Sequence, residues 1–346
     1  MTPASGVPRV TAIDAFRGFT MILMVSEGFG LLHLKDYAWI APIAEQFDHA
    51  QWIGMAAWDL IQPFFMFIVG AVMPWSFEKR WAAGESWTES LKHVLKRSVL
   101  LILWGLIARS IRAGRPVIDV INVLAQLAVT YPIAFLLLRR SQAFQLGAGL
   151  TLLAAHTLAY MAFGNPWTVG ENLGEVLDRA IFGKNWGGHY ATINCISSAF
   201  NTILGVIAGE LIRERAFPKL ARLGGACLAL GLLLSFWVPV IKKIWTASFA
   251  LVSGGITILA LLLFWWLCET KGRKMKLFVM VGANSIFIYL FHEILEDWLY
   301  RTAKVFTGWG TSYWPAELLA FNHLVAVIFQ IWVCVWLYRR KIFFKL

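Results

Sequence analysis

The sequence predicts an all-α protein, a polytopic integral membrane helical bundle forming a single transmembrane domain over residues 1–346. Three observations carry this expectation. Of the 346 residues, 59% are hydrophobic and only 15% are charged, whereas a soluble chain is nearer half apolar and a quarter charged. The mean hydropathy is +0.64, and the 18 Trp and 25 Phe are residues that gather at membrane interfaces. Apolar stretches of about 20 residues, the length that crosses a bilayer, recur from one end of the chain to the other.

The net charge of +11 fits a positive-inside bias and contact with anionic lipid. Lys and Arg are scattered over many short loops, whereas nucleic-acid binding calls for a concentrated patch. The four cysteines, Cys195, Cys227, Cys268 and Cys334, fall inside apolar runs without C-x-x-C spacing. They read as free thiols, with no disulfide framework or zinc site.

Ten membrane segments are expected, near 12–32, 51–74, 94–113, 117–138, 144–163, 190–212, 222–240, 246–268, 276–297 and 317–338. The first holds Arg17 and Glu27 and runs past signal-peptide length, so it is expected to be retained. Connections such as Arg139-Arg140 and Lys242-Lys243 are short and basic; the longer ones cover 33–50, 75–93, 164–189 and 298–316. No soluble domain or convincing internal repeat interrupts the series. With the N-terminus inside, the inner connections, with Arg9 and Lys345 among their charges, carry about twice the Lys and Arg of the outer ones. That bias predicts two cytoplasmic termini. It also puts His33, His49, His156, His189, His292 and His323 toward the outer side and His93 alone inside.

Within these segments, polar residues mark candidate chemistry, because polar groups at membrane depth are costly and usually functional. In the first segment, Asp14 and Arg17 lie three apart and can pair on one helical face. Arginine's planar fork also suits an anionic phosphate. The second opens with His49, passes Trp52 and Trp58, and carries Asp59 into an apolar run. Asp59 could orient an imidazole, as carboxylates do in catalytic triads. Ten residues of unbroken helix, however, span about 15 Å, so a direct His49–Asp59 contact requires the chain to break near Gly54. In the sixth, Thr192, Asn194, Ser197, Ser198, Asn201, Thr202 and Gly205 favour close helix packing over a substrate passage. In the ninth, Ser285, Tyr289 and Glu293 recur at i, i+4 and i+8, with Asn284 and His292 on the neighbouring face. Helix–helix hydrogen bonding is the plain alternative for such a stripe. No H-E-x-x-H, G-x-S-x-G or P-loop pattern is present, and no catalytic metal is expected.

Several stretches resemble the transmembrane acyltransferase family typified by heparan-α-glucosaminide N-acetyltransferase. They are Ile13-Asp14-Ala15-Phe16-Arg17-Gly18, His49-Ala50-Gln51-Trp52-Ile53-Gly54 and Asp59-Leu60-Ile61-Gln62-Pro63-Phe64-Phe65-Met66-Phe67. Leu127-Ala128-Val129-Thr130-Tyr131 is similar to that family's L-G-V-T-Y, and Asn284 to Glu293 to its N-S-I-x-x-Y-x-x-H-E. Where the family has L-Q-R, this chain has Leu124-Ala125-Gln126. The resemblance implies a bacterial-type homologue without the large lumenal domain of the animal enzyme, placed in a cell membrane such as a bacterial inner membrane. It implies acetyl transfer from cytoplasmic acetyl-CoA to an amino sugar or glycan on the outer side, with His49 at the reaction centre.

The chemistry is consistent with this. Attack of an amine on a thioester needs a base near neutral pKa, which histidine supplies; alternatively the imidazole carries the acetyl group itself. The candidate catalytic residues are His49 and Asp59. Asp14, Arg17, Trp52, Asn284, Ser285, Tyr289 and His292 are the candidate substrate and cofactor contacts. The partners are acetyl-CoA, a glycan acceptor and lipid, with a homo-oligomer and a hydroxyl acceptor both left open. The rival reading is a proton-coupled transporter of a sugar or cell-wall intermediate, in which Asp59 and His49 relay protons.

Overall fold

The computed structural model describes residues 10–344, so Arg9 and Lys345, counted above in the charge bias, lie outside the described residues. Among the described residues the chain is helical, with one isolated bridge, Gly54 to Ile241, outside the helices. The α-helices in order are α1 (Thr11–Ser26), α2 (Ala41–Ala44), α3 (Ile61–Ala82), α4 (Trp87–Ala113), α5 (Val123–Leu137), α6 (Gln142–Met161) and α7 (Leu173–Phe182). They continue with α8 (Asn194–Arg213), α9 (Phe217–Leu234), α10 (Ala247–Trp265), α11 (Lys276–Gly282), α12 (Ser285–Thr307) and α13 (Pro315–Arg339). Local chemistry fixes several ends. The Ser86 hydroxyl accepts from the Glu89 amide, and the Glu89 carboxylate accepts from the Ser86 amide, a capping box that starts α4. Gly114, at φ +63°, closes it.

Each of the ten expected membrane segments contains a helix, but ten crossings do not follow. Six helices are long and apolar enough to span a membrane, or seven if a bent pair counts as one. The shortfall has physical causes: α4 carries Lys92, Lys96, Arg97, Arg109 and Arg112, and α5 is only 15 residues long. Two segments also differ in form. The helix expected from residue 51 begins with a 3₁₀ turn at Ala57, because the preceding residues wrap around Asp59. The ninth segment bends by 75° between α11 and α12, at Ala283 and Asn284. The four cysteines are free thiols as read from the sequence.

Phe16, Phe67, Phe77, Phe135, Phe200 and Phe249 are fully buried at the centre of the bundle. Several crossings are tight enough to need glycine. A Cβ at Gly205 of α8 would sit 2.0 Å from the Phe67 carbonyl oxygen of α3, and one at Gly70 would sit 2.0 Å from that of Thr202. At the α1–α11 crossing, a Cβ on Gly282 would meet the Asp14 carbonyl oxygen at 2.3 Å. The small residues of α8 therefore serve close packing, as the sequence favoured. Apolar side chains such as Leu230, Leu233, Phe321, Ile328 and Trp332 face outward, as a lipid-facing surface requires.

Candidate active site

The histidine-bearing segment 48–56 is neither helix nor strand. Its course is set at Gly54, which adopts φ +114°, a conformation that a side chain strains. The Gly54 amide donates to the Val240 carbonyl at 2.8 Å, tying this segment to the loop between α9 and α10. The chain thus breaks where a His49–Asp59 contact requires it. His49 Nδ1 lies 2.7 Å from Asp59 Oδ1. Asp59, only 1% exposed, accepts the Ala50 and Ala56 amides on Oδ2 at 3.2 and 3.0 Å. Both its oxygens are engaged, so the carboxylate holds the segment and the imidazole together.

Lys242, from the facing loop, completes the group. Its ammonium is buried, 3.4 Å from Asp59 Oδ1 and 3.1 Å from His49 Nδ1. Nδ1 cannot both donate to Asp59 and accept from Lys242. A neutral ring with Nδ1–H directed to Asp59 satisfies the carboxylate from two donors and leaves Nε2 as an open base. Burial, opposed by Asp59, pushes Lys242 down to about 8. Burial and the Lys242 charge hold His49 below the ordinary histidine value against the pull of Asp59. The arrangement therefore favours neutral imidazole at physiological pH.

Lys242 escaped sequence reasoning because it sits in a short basic loop that reads as topology. A polar relay fixes that loop from behind. Gln62 donates to Gln126, Gln126 donates to Asn194, and Asn194 donates to the Lys243 carbonyl at 3.3 Å.

His49 opens onto a cavity of about 350 Å³ that also meets Trp58, Phe65, Tyr190, Tyr289, His292 and Lys242. A second cavity, of about 710 Å³, is lined by Asp14, Arg17, Arg80, His93, Arg97 and Ser285. Between them lies a narrow space of about 80 Å³. Phe65 borders both this space and the first cavity, while Arg17, Arg97 and Ser285 border both it and the second. Shared wall residues string the three cavities into a track, basic at one end and with His49 at the other. Arg97 stacks over Tyr131 at 4.8 Å, and its Nε is buried without a hydrogen bond.

The other expected contacts sort themselves along this track. Arg17 donates to Asp14 at 2.7 Å and to the Gly282 carbonyl at 2.7 Å, and it borders the basic cavity. Ser285 lies at that same end. Tyr289 stacks on Phe65, with ring centroids 6.5 Å apart, and with His292 faces the His49 cavity. Two residues fall elsewhere. Asn284 is fully buried at the α11–α12 bend, where it donates to the Ile342 carbonyl and accepts the Phe344 amide. Trp52 donates to the Trp167 carbonyl at 2.7 Å, which fastens the 164–189 connection beside the site. Both serve architecture here.

Fold and site together define a class: a polytopic helical membrane protein with a histidine, held by a buried carboxylate and a buried lysine, facing a cavity. Comparison with known proteins places the chain further. It is 24% identical to the heparan-α-glucosaminide N-acetyltransferase of Mus musculus over 100% of its own length and 62% of that protein. The human enzyme of the same name is 25% identical over 98% of the chain and 60% of the relative. The chain thus spans about three-fifths of the curated relatives it matches. Residues 9–157 match a family described only as a domain of unknown function, DUF5009. The resemblance read from short motifs extends along the whole chain.

Proposed function

We propose that this protein is a membrane acetyltransferase that takes an acetyl group from cytoplasmic acetyl-CoA and delivers it to an amino sugar on the opposite side. The observation that carries the reading is the His49–Asp59–Lys242 group, on a cavity that shares Phe65 with a narrow space bordering a basic vestibule. Arg17, Arg80 and Arg97 would meet the phosphates of CoA, since guanidinium groups pair well with phosphate oxygens. The thioester would reach His49 past Phe65 and Tyr289. The larger cavity is of the size that admits a small-molecule cofactor, and the His49 cavity that of a single sugar unit.

In the reaction, the acceptor nitrogen forms a bond to the acyl carbon as the carbon–sulfur bond breaks. His49 Nε2 accepts the proton leaving the nitrogen, and the CoA sulfur leaves as thiolate and is protonated. Asp59 holds the imidazole by Nδ1 and stabilises the imidazolium that forms. Lys242 keeps the ring neutral beforehand. The same imidazole could carry the acetyl group transiently, with Nε2 attacking the thioester first. Both termini would lie on the cytoplasmic side, with α4, α5 and α6 completing ten crossings.

The test is thiol release from acetyl-CoA by the purified full chain. His49→Ala should lower it by about 10²–10⁴-fold, the usual contribution of a general base. Unchanged release in that variant rules out His49 as reaction centre, and a chain that neither binds nor cleaves acetyl-CoA favours transport. Label that stays on the protein when acceptor is withheld identifies the acetyl-histidine route.

A further inference from the structure

The row of carboxamides behind the Lys242 loop has a direction, and a backbone carbonyl sets it. The Lys243 carbonyl can only accept, so the atom that Asn194 brings to it, at 3.3 Å, is the donor Nδ2. Asn194 Oδ1 is then left to accept from Gln126 Nε2, and Gln126 Oε1 to accept from Gln62 Nε2. Gln126 and Asn194 are each 3% exposed. Turning either amide over would set donor against donor and acceptor against acceptor, where buried polar atoms are normally satisfied. The sense is thus imposed across α8, α5 and α3, and it ends on Gln62.

Gln62 lines the His49 cavity. One hydrogen of its Nε2 goes to Gln126, and its Oε1 has no partner among the described residues. Other polar groups on the same wall are already committed. Asn122 accepts the Ala125 amide at 3.0 Å and donates to the Asp119 carbonyl at 2.8 Å, and Arg109 pairs with Asp119 at 2.7 Å. A free, uncharged acceptor held in one sense suits an uncharged donor, a hydroxyl.

We propose that Gln62 Oε1 accepts a hydrogen bond from a hydroxyl of the sugar in the His49 cavity, with Gln126 and Asn194 as positioning residues that keep this oxygen available to it. The inference rests on the acetyl-transfer reading for the nature of the ligand. It adds the residue that selects among sugars by their hydroxyls. A site built to bond a hydroxyl rejects the analogue that lacks it, because its own polar group is left unpaired. The same row ends on the loop that carries Lys242, so one set of bonds fixes both the sugar contact and the lysine beside His49.

The test is calorimetric titration of the full chain in detergent with D-glucosamine and its 3-, 4- and 6-deoxy analogues, without acetyl-CoA. One analogue should bind wild type about tenfold or more less tightly than D-glucosamine, the scale of a hydrogen bond whose loss leaves a group unpaired. In Gln62→Met, which keeps the length of the side chain and removes its oxygen, that analogue and D-glucosamine should bind alike. Gln126→Met should shrink the same ratio, because Gln62 is then free to turn. A merely structural role would weaken all the sugars together and leave the ratio intact. A ratio that survives in Gln62→Met overturns the contact, and one that survives in Gln126→Met overturns the role of the row. A wild-type chain that binds all four sugars alike, or none, overturns the proposal even where neither variant folds. Thiol release from acetyl-CoA is read separately: hydroxyl selectivity without release upholds the Gln62 contact and sinks acetyl transfer.

Discussion

At the scale of single residues, His49, Asp59 and Lys242 depend on one another for charge and orientation. Replacing Asp59 by Asn removes the acceptor that orients His49 Nδ1–H and leaves Lys242 buried without a counter-charge. Turnover should fall by about 10²–10⁴-fold, and the protein should lose about 3–5 kcal/mol, as when one member of a buried pair is removed. A thermal melt in detergent beside an activity assay reads both; an Asp59→Asn protein with wild-type turnover would remove Asp59 from the mechanism. Lys242 makes a sharper prediction. Its positive charge disfavours imidazolium, so Lys242→Met should raise the His49 pKa. A base works when deprotonated, so the acidic limb of the pH–rate profile should move to higher pH, while Lys242→Arg should leave it nearer the wild-type position. A limb that stays in place in Lys242→Met means that Lys242 does not tune the base.

At the scale of elements, the bundle is organised by close crossings, and these fix where the polar groups stand. The α3–α8 contact leaves no room at Gly205, where a Cβ would meet the Phe67 carbonyl oxygen at 2.0 Å. Gly205→Val should push the helices apart and cost about 1–3 kcal/mol or more, as overpacking does, seen as a lower melting temperature. A melting curve that matches wild type would mean the crossing relaxes easily. Much of this level was legible in the sequence. The apolar runs located the helices, the small residues of α8 announced close packing, and the spacing of Asp14 and Arg17 gave their ion pair. The His49–Asp59 contact was legible only as a conditional, because helical periodicity cannot say where a helix fails to start. That depended on Gly54 pairing with Val240, nearly 190 residues away in sequence. Lys242 stayed hidden for the same reason: its proximity to His49 is tertiary, and its charge looks like an ordinary loop charge. Asn284 shows the converse: a polar residue within a suggestive motif that is spent on holding the chain near Ile342 and Phe344.

For the whole molecule, the decisive feature is the narrow space that shares wall residues with both the basic cavity and the His49 cavity. Donor and acceptor need not share a compartment if the acyl arm can lie along the track while the nucleotide stays in the vestibule. The constriction that governs this is small, about 80 Å³, and Leu127 on α5 forms part of its wall. Leu127→Trp should fill that space and separate the two ends. Acetyl-CoA binding at the basic vestibule should persist, while thiol release should drop toward the His49→Ala level. Leu127→Ala, which widens the same space, should keep turnover, so a general defect in folding is distinguishable from a blocked path. If Leu127→Trp binds and cleaves acetyl-CoA like wild type, the thioester reaches His49 by another route, and the link through Phe65 is a packing feature of the bundle.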